Sequence, residues 1–321
     1  MTKYIIVGDI HLADRAPSAR ISTYRDDIMN KLRWTVDYSN TQDIDALVLL
    51  GDVFHIKRPD RNSHSLVTET AAVLGNSKAP VVVIPGNHDV QYDDMNTIPS
   101  QPLGTLALHP NIELLIGPHS ELPLYSVPYF DPTAENYRYW VDRYHSDGGP
   151  DRYPFIGTHQ AIFPEKEEPI YDFISAESWA ESFQSSWVAY GHIHSRMKAG
   201  AFYSAGVSLF CNNGAISRGS LHEETIHREL AITSFDSDKD TPFTSIPIPY
   251  RPASEVFNLE VVEVLKNRQT TVDTFLESLG SSDLQYLTIE GILDNARQTS
   301  TLPKEAVVEL EDIIQNITLA D

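Results

Sequence analysis

The sequence predicts an α/β protein in which two sheets are flanked by helices, with a small α+β appendage at the C-terminal end. Two patterns lead to this prediction. Strands and helices alternate over the first 90 residues, which is typical of a parallel sheet with helical crossovers. From 202 to 248 short strands and turns dominate instead, which indicates a second sheet. A chain of 321 residues buries about three quarters of its unfolded surface, so one large domain and one small one both have room for a core.

Each element follows from its local pattern. Short apolar runs that end at Gly or Pro predict buried strands. These strands are 4–7, 46–50, 81–84, 155–157 and 187–190. Apolar residues at helical spacing, such as Ile28, Leu32 and Val36, predict a helix over 24–38, and a second helix is predicted over 66–74.

A proline-rich segment at 246–252 is the predicted linker between two domains, 1–248 and 253–321. The second domain is acidic. Its predicted elements are strands at 256–265 and 284–289 and helices at 272–279 and 306–317. This order would form a small cap or a partner-binding domain.

Composition excludes several classes of protein. A single cysteine, Cys211, excludes a disulfide framework and a cysteine-rich zinc site. The sequence has neither the pattern of a secretory leader nor an apolar run long enough for a bilayer, so we expect a cytoplasmic protein with no membrane partner. The formal net charge of -21 argues against a nonspecific nucleic-acid coat, although an acidic protein can still carry a local basic cleft.

Five polar clusters stand at the carboxyl ends of predicted strands, where open α/β sheets gather their ligands. Together they offer seven metal-ligand side chains: Asp9, His11, Asp52, Asn87, His159, His192 and His194. Carboxylate, amide and imidazole groups suit manganese, iron or zinc, and seven of them suit two ions bridged by one carboxylate. Asp52, between the two groups, is the natural bridge.

Each cluster alone has an ordinary explanation. A histidine after a strand is more often a surface or hydrogen-bonding residue, and Gly-Asp or Asn-His-Asp can form a turn satisfied by its own side chains. An ordered set of five such clusters, each after an apolar strand, is much rarer by chance than any one cluster alone.

The ordered set resembles the calcineurin-like metallophosphoesterase superfamily over about residues 4–235. The resemblance implies a two-sheet sandwich that binds two divalent ions, most readily Mn²⁺, with Mg²⁺, Fe²⁺ and Zn²⁺ compatible. The first ion would be held by Asp9, His11, Asp52 and His194, and the second by Asp52, Asn87, His159 and His192. His88 would be the catalytic histidine, oriented by Asp89.

Smaller features resemble one branch, the SbcD-type nucleases of DNA double-strand-break repair and recombination. They are the block from Gly51 to Pro59, the pair His159-Gln160, and the segment 213–218 followed by Glu223. In this branch His55 would lie beside the scissile phosphate, although it could equally be a plain loop histidine. The resemblance implies an exonuclease or endonuclease that acts as a homodimer with an SMC-like ATPase. The expected DNA contacts are Lys57, Arg58, Arg61 and Arg218, with Arg15 and Arg20 as further candidates.

Two other functions remain open at this point. A phosphodiesterase or pyrophosphatase for a small nucleotide ester would use the same metal site and would suit the acidic surface better. A catalytically silent adaptor would have no need for all seven ligands and His88. The apolar face of the predicted last helix, from Val307 to Ile317, could dock the ATPase or simply pack on its own domain.

Overall fold

Two six-stranded sheets face each other and form the centre of the unit Met1–Leu259. This computed structural model describes residues 2–17, 20–92, 94–164, 173–195, 201–219 and 228–258. The chain divides into two compact units, Met1–Leu259 and Glu260–Asp321, and the second unit lies outside the described residues. The predicted boundary at 248–253 and the last helix at 306–317 therefore stay predictions.

The strands are β1 (Lys3–Val7), β2 (Ala46–Leu49), β3 (Val81–Val83), β4 (Ile112–Leu114), β5 (Gly117–Pro118), β6 (Leu124–Val127), β7 (Phe155–Thr158), β8 (Ile162–Phe163), β9 (Ile174–Ser175), β10 (Trp187–Tyr190), β11 (Phe202–Ala205), β12 (Ser208–Cys211), β13 (Ala231–Asp236) and β14 (Phe243–Pro247). The helices are α1 (Tyr24–Ser39), α2 (His64–Gly75), α3 (Pro102–Leu106), α4 (Ala134–Asp147), α5 (Gly149–Arg152), α6 (Ala176–Phe183) and α7 (Ala253–Val256). Two short 3₁₀ helices cover Pro59–Arg61 and Met95–Ser100. None of the helices in the described ranges is long and apolar enough to cross a membrane.

The first sheet has the order β14-β13-β1-β2-β3-β4, and the second has the order β11-β12-β10-β7-β6-β5. Strands β1 to β4 are parallel, as are β6, β7, β10 and β12. Antiparallel strands close both edges of the second sheet and the β13–β14 side of the first. The predicted two-sheet α/β fold with flanking helices is therefore confirmed.

The core has three layers because side chains alternate along each strand. In β1, Ile5 and Val7 face a helical layer that includes α1 and α2, whereas Tyr4 and Ile6 face the opposite sheet. Phe155 lies in the same layer between the sheets, and its ring contacts Tyr4 at 5.1 Å. A third cluster packs α4 and α6 on the outer face of the second sheet. Strands buried on both faces explain why these segments read as continuous apolar runs.

The segment from 202 to 248 differs from the prediction, because it does not form a sheet of its own. Strands β11 and β12 extend the sheet that contains β10, whereas β13 and β14 return to the first sheet beside β1. Phe235 and Phe243 on these returning strands fill the layer between the sheets together with Phe155. The pairing of β13 with β1 joins residues far apart in sequence, so no local sequence pattern predicts it.

Candidate metal centre

The metal centre lies where strand ends from both sheets meet. Asp9, Asp52 and Asn87 follow β1, β2 and β3 of the first sheet. His159 and His192 follow β7 and β10 of the second sheet. The structure thus brings the predicted side chains together, and it does so between two sheets instead of at the edge of one.

The first ligand group is compact. Candidate ligand atoms of Asp9, His11, Asp52 and His194 all lie within 4.8 Å of one another. His11 Nε2 is 2.8 Å from His194 Nε2 and 3.6 Å from Asp52 Oδ2. His194 is exposed while the other three are buried, so this group is open to solvent on one side.

The second ligand group is connected to the first by Asp52. Its carboxylate Oδ2 lies 3.4 Å from His159 Nε2. Asn87 Oδ1 lies 3.1 Å from both His159 Nε2 and His192 Nδ1. Asp52 therefore contacts a histidine of each group, which is the position that a bridging ligand needs.

Asp9 provides an independent test of whether these residues fit a cation. Its Oδ1 accepts a hydrogen bond from the His192 amide at 3.0 Å and lies 3.7 Å from the ring nitrogens of His159 and His194. Its Oδ2 is buried and has no hydrogen-bond partner. A buried carboxylate oxygen without a partner is costly, and a metal ion bound by this donor set would remove that cost.

Three of the seven positions have left-handed backbone conformations: His11 (φ 53°), Asp52 (φ 48°) and His192 (φ 71°). Each costs roughly 1–2 kcal/mol for a residue with a side chain. The Asp52 carbonyl helps to hold the first of these turns by accepting the His11 amide at 2.8 Å. Strained conformations of this kind persist where the surroundings fix them, and they concentrate at functional sites.

Two motif glycines are needed because of close approach. A Cβ at Gly86 would lie 2.2 Å from Asp52 Oδ1. A Cβ at Gly191 would lie 2.5 Å from the Leu50 carbonyl oxygen and 2.9 Å from His159 Nδ1. Both glycines therefore let the backbone pass directly beside ligand side chains.

Backbone contacts and buried charges together set the state of His159. Its Nδ1 donates to the Leu50 carbonyl at 2.5 Å, which directs Nε2 toward Asp52. Burial alone would lower the pKa of His159, but attraction by Asp52 and Asp9 raises it to about 10. Burial would likewise raise the pKa of Asp52, but His159 and then His11 hold it well below its usual range. This pair is therefore charged at neutral pH.

Two of the other proposed ligand histidines, His11 and His192, are held neutral. Burial is the main cause of a pKa well below the usual range at His11, and burial followed by repulsion from His159 lowers the pKa of His192 to about 3. A neutral imidazole keeps a lone pair that a metal ion can use.

His88 lies against both His11 and His55. Its amide donates to Asp52 Oδ1 at 2.8 Å, and its Nδ1 donates to the His55 carbonyl at 2.5 Å. The rings of His88 and His55 stack at 5.5 Å with 13° between their planes, and His11 meets His88 edge-on at 5.0 Å. His55 Nδ1 is also 3.4 Å from His11 Nδ1.

Asp89 differs from its expected role, because its side chain does not orient His88. Its carboxylate accepts the amides of Asp52 at 2.8 Å, Gly86 at 3.0 Å and Val53 at 3.2 Å. Burial, followed by repulsion from Asp52, raises the pKa of Asp89 to about 7. Asp89 thus ties the loops after β2 and β3 together, while the His55 carbonyl holds the His88 ring.

The expected substrate-binding cations divide into surface and interior residues. Arg58 and Arg61 are exposed and Lys57 is half-buried in the loop after β2, and Arg15 is also exposed. Arg218 is 1% exposed, donates to the Arg251 carbonyl, and lies over the Tyr250 ring at 4.9 Å. The structure places the Arg218 side chain among these interior groups, so its expected contact with DNA stays a prediction without structural support.

Arg20 is likewise an interior residue. It is buried and donates to Asp27 Oδ2 at 2.7 Å, and its guanidinium lies over the ring of Phe257 at 5.2 Å. Glu223, which follows the segment 213–218 in the resemblance to the nuclease branch, lies outside the described residues.

Sequence reasoning missed Tyr129, whose ring stacks on His192 at 5.7 Å. It directly follows Pro128 after β6, a strand that was not predicted. Recognition of β6 would have placed Tyr129 beside the other strand ends.

We expect Gly191→Ala to remove metal binding while the fold remains. The added Cβ would press on the Leu50 carbonyl and on His159 Nδ1, so His159 would leave its position beside Asp52. Calorimetric titration with Mn²⁺ measures the loss, and circular dichroism checks the fold. Gly219→Ala is the matched control, because among the described residues its Cβ would meet only the Tyr24 hydroxyl, at 3.7 Å. Unchanged Mn²⁺ binding by Gly191→Ala would contradict the prediction.

Comparison with known proteins assigns the chain to a family. A sequence model of the calcineurin-like phosphoesterases matches residues 2–196. The chain is similar to the crystal structure of TT1561 of Thermus thermophilus, at 12% identity and a TM-score of 0.50 over 77% of this chain and 98% of that chain. It is also similar to a dimetal phosphatase from Danio rerio, at 13% identity and a TM-score of 0.48 over 78% and 97%. No curated protein matches the sequence. Since the family match spans more than half of the chain and includes every proposed ligand, the chain belongs to the calcineurin-like phosphoesterase family.

Proposed function

We propose that this metal-dependent phosphoester hydrolase is a two-metal phosphodiesterase that cleaves DNA, of the double-strand-break repair type. The observation that carries the proposal is the pair of ligand groups that share Asp52, with His55 and His88 beside them. The exposed cations Arg58 and Arg61, in the loop that begins at Asp52, support a polyanionic substrate.

The two groups divide the ligands between two divalent ions. Asp9, His11, Asp52 and His194 would hold one, and Asp52, Asn87, His159 and His192 would hold the other. When bound, such a pair supplies Lewis acidity to the phosphate and to water. Manganese is the proposed metal on the resemblance to the nuclease branch alone.

Proton release should accompany Mn²⁺ binding. His159, with its pKa raised to about 10, carries a proton at neutral pH, and a ligand nitrogen must lose it. We expect about one proton per chain at pH 7 and an apparent affinity that rises about tenfold per pH unit below 10. Calorimetry in buffers of different ionisation enthalpy counts the protons, and His159→Gln should abolish the release. Binding without proton release by the unaltered chain would contradict this ligand assignment.

His88 is the proposed general acid. Its Nδ1 is committed to the His55 carbonyl, so Nε2 is the nitrogen that can exchange a proton with substrate. An alkoxide leaves poorly near neutral pH, and a histidine side chain is suited to protonate it. His55 lies against both His88 and His11, where it can contact the phosphate.

We expect His88→Gln to retain both metals and to cleave DNA about 10²–10⁴-fold more slowly, the usual effect of losing a general acid. A nitrophenyl diester should lose much less activity, because its leaving oxygen needs no proton. Steady-state rates on both substrates, with metal content measured in parallel, test the role. His64→Gln, at an exposed position on α2, is the control. Equal losses on both substrates would make His88 a phosphate-positioning residue instead.

Replacing Lys57 and Arg58 together by Gln should lower cleavage of duplex DNA more than cleavage of a small artificial diester. Cations that contact phosphates release counterions, so DNA binding should also weaken as salt rises. The control is Lys239→Gln, an exposed cation on the turn after β13. Equal losses on DNA and the small diester would favour the second candidate function, a phosphodiesterase or pyrophosphatase for a small nucleotide ester. The net charge of -21 is the observation that favours this alternative.

An SMC-like ATPase partner and a homodimer belong to the same proposal. Both rest on the resemblance to the SbcD-type nucleases. The face from Val307 to Ile317 that would dock the ATPase lies outside the described residues.

A further inference from the structure

A cavity of about 260 Å³ opens directly beside the metal centre. His192 forms part of its wall, and the same ring lies 3.1 Å from Asn87 Oδ1 in the second ligand group. One side chain therefore separates the proposed metal position from the cavity. In a nucleotide, the phosphate and the base are likewise separated by a single sugar.

Two aromatic residues, Tyr129 and Phe173, also line the cavity. The Tyr129 ring stacks on His192 at 5.7 Å with 28° between the planes. Phe173 is 36% exposed and meets the buried Phe163 edge-on at 5.6 Å. Aromatic side chains of this kind are the surfaces on which nucleobases stack, irrespective of base identity.

The Tyr129 wall is held in place from two directions. Its amide donates to the Pro85 carbonyl at 3.0 Å, at the end of β3. Gln160, which is 2% exposed, donates from Nε2 to the Pro128 carbonyl at 3.2 Å and the Phe130 carbonyl at 3.3 Å. These bonds fix the backbone on both sides of Tyr129. Gln160 is thus a positioning residue for the aromatic wall.

Size and charge restrict what the cavity can accept. Its volume is below the roughly 300–1,000 Å³ of pockets that enclose drug-sized ligands, so it suits one flat ring system better than a whole nucleotide. Asp131 is the charged side chain of the lining, and the described lining residues include no Lys or Arg. A phosphate would be repelled here, whereas a neutral ring with N–H groups would not.

We propose that this cavity is a subsite for the nucleobase next to the scissile phosphate. The inference rests on the proposed phosphodiesterase function and adds a substrate requirement to it. A phosphodiester at the metal centre then gains stacking energy from Tyr129 and Phe173 only when a base adjoins it.

Three dinucleoside monophosphates test the subsite: thymidylyl-thymidine, and two analogues in which an abasic deoxyribose replaces the 5′ or the 3′ nucleoside. Base stacking is strong enough that removing the base on one side should lower kcat/KM by about 5- to 100-fold. Removing the base on the other side of the phosphate should change kcat/KM little. Chromatographic assay of the products avoids an aromatic reporter group that could itself enter the cavity.

Phe173→Ala should lower kcat/KM more for thymidylyl-thymidine than for the analogue that lacks the sensitive base. Tyr139→Ala is the matched control, because Tyr139 is 55% exposed on α4 and does not line the cavity. Tyr139→Ala should leave kcat/KM unchanged for both substrates. A Phe173→Ala loss that is the same on both substrates would overturn the subsite.

The outcomes also separate this inference from the function on which it rests. Cleavage of all three compounds at equal kcat/KM would overturn the subsite and leave the phosphodiesterase intact. Failure to cleave any of them, or bis-nitrophenyl phosphate, with Mn²⁺ bound would overturn the proposed function and the subsite with it.

Discussion

The buried carboxylate of Asp52 is the interaction on which the rest of the centre depends. A charge in the interior is tolerated only when it is paired and hydrogen-bonded. Asp52 meets this condition through His159 at 3.4 Å, His11 at 3.6 Å and the His88 amide at 2.8 Å. Its own backbone is held in turn by the Asp89 carboxylate. The proposed ligands, the proposed catalytic histidine and the neighbouring loops are therefore all arranged around one side chain.

The architecture explains how such a charge can be buried without loosening the fold. The layer between the sheets consists largely of aromatic and aliphatic side chains, such as Tyr4, Phe155 and Phe235, whereas polar ligands begin only where the strands end. The core thus stabilises the sheets, and their carboxyl ends are free to carry chemistry. Three of the proposed ligand positions at this edge, His11, Asp52 and His192, have left-handed backbone conformations, so part of the backbone strain lies at the site.

The sequence predicted the features that depend on neighbouring residues. It was a poorer guide to contacts between residues far apart in the chain. Apolar runs followed by Asp, Asn or His predicted which strand ends come together at the candidate metal centre, because buried strands and polar clusters both leave short-range patterns. The antiparallel return of β13 to β1 joins Thr233 to Ile6, and nothing near either residue records that partner. The interior position of Arg218 was not predicted, for a similar reason. Its side chain contacts Tyr250 and Arg251, and Arg251 lies 33 positions later in the sequence.

Under the proposed function, substrate choice depends on two separate surfaces, each beside one of the two ligand groups. On one side, the loop after β2 carries Arg58 and Arg61, and its His55 contacts His11 of the first group. On the other, Tyr129 contacts His192 of the second group. A small ester would contact only one of these two surfaces. A polynucleotide, in contrast, could place a base against Tyr129 and neighbouring phosphates near the cations. In a protein with a net charge of -21, such a division also has a physical advantage. Attraction to phosphate stays local to the loop, and stacking, which does not depend on net charge, contributes on the other side.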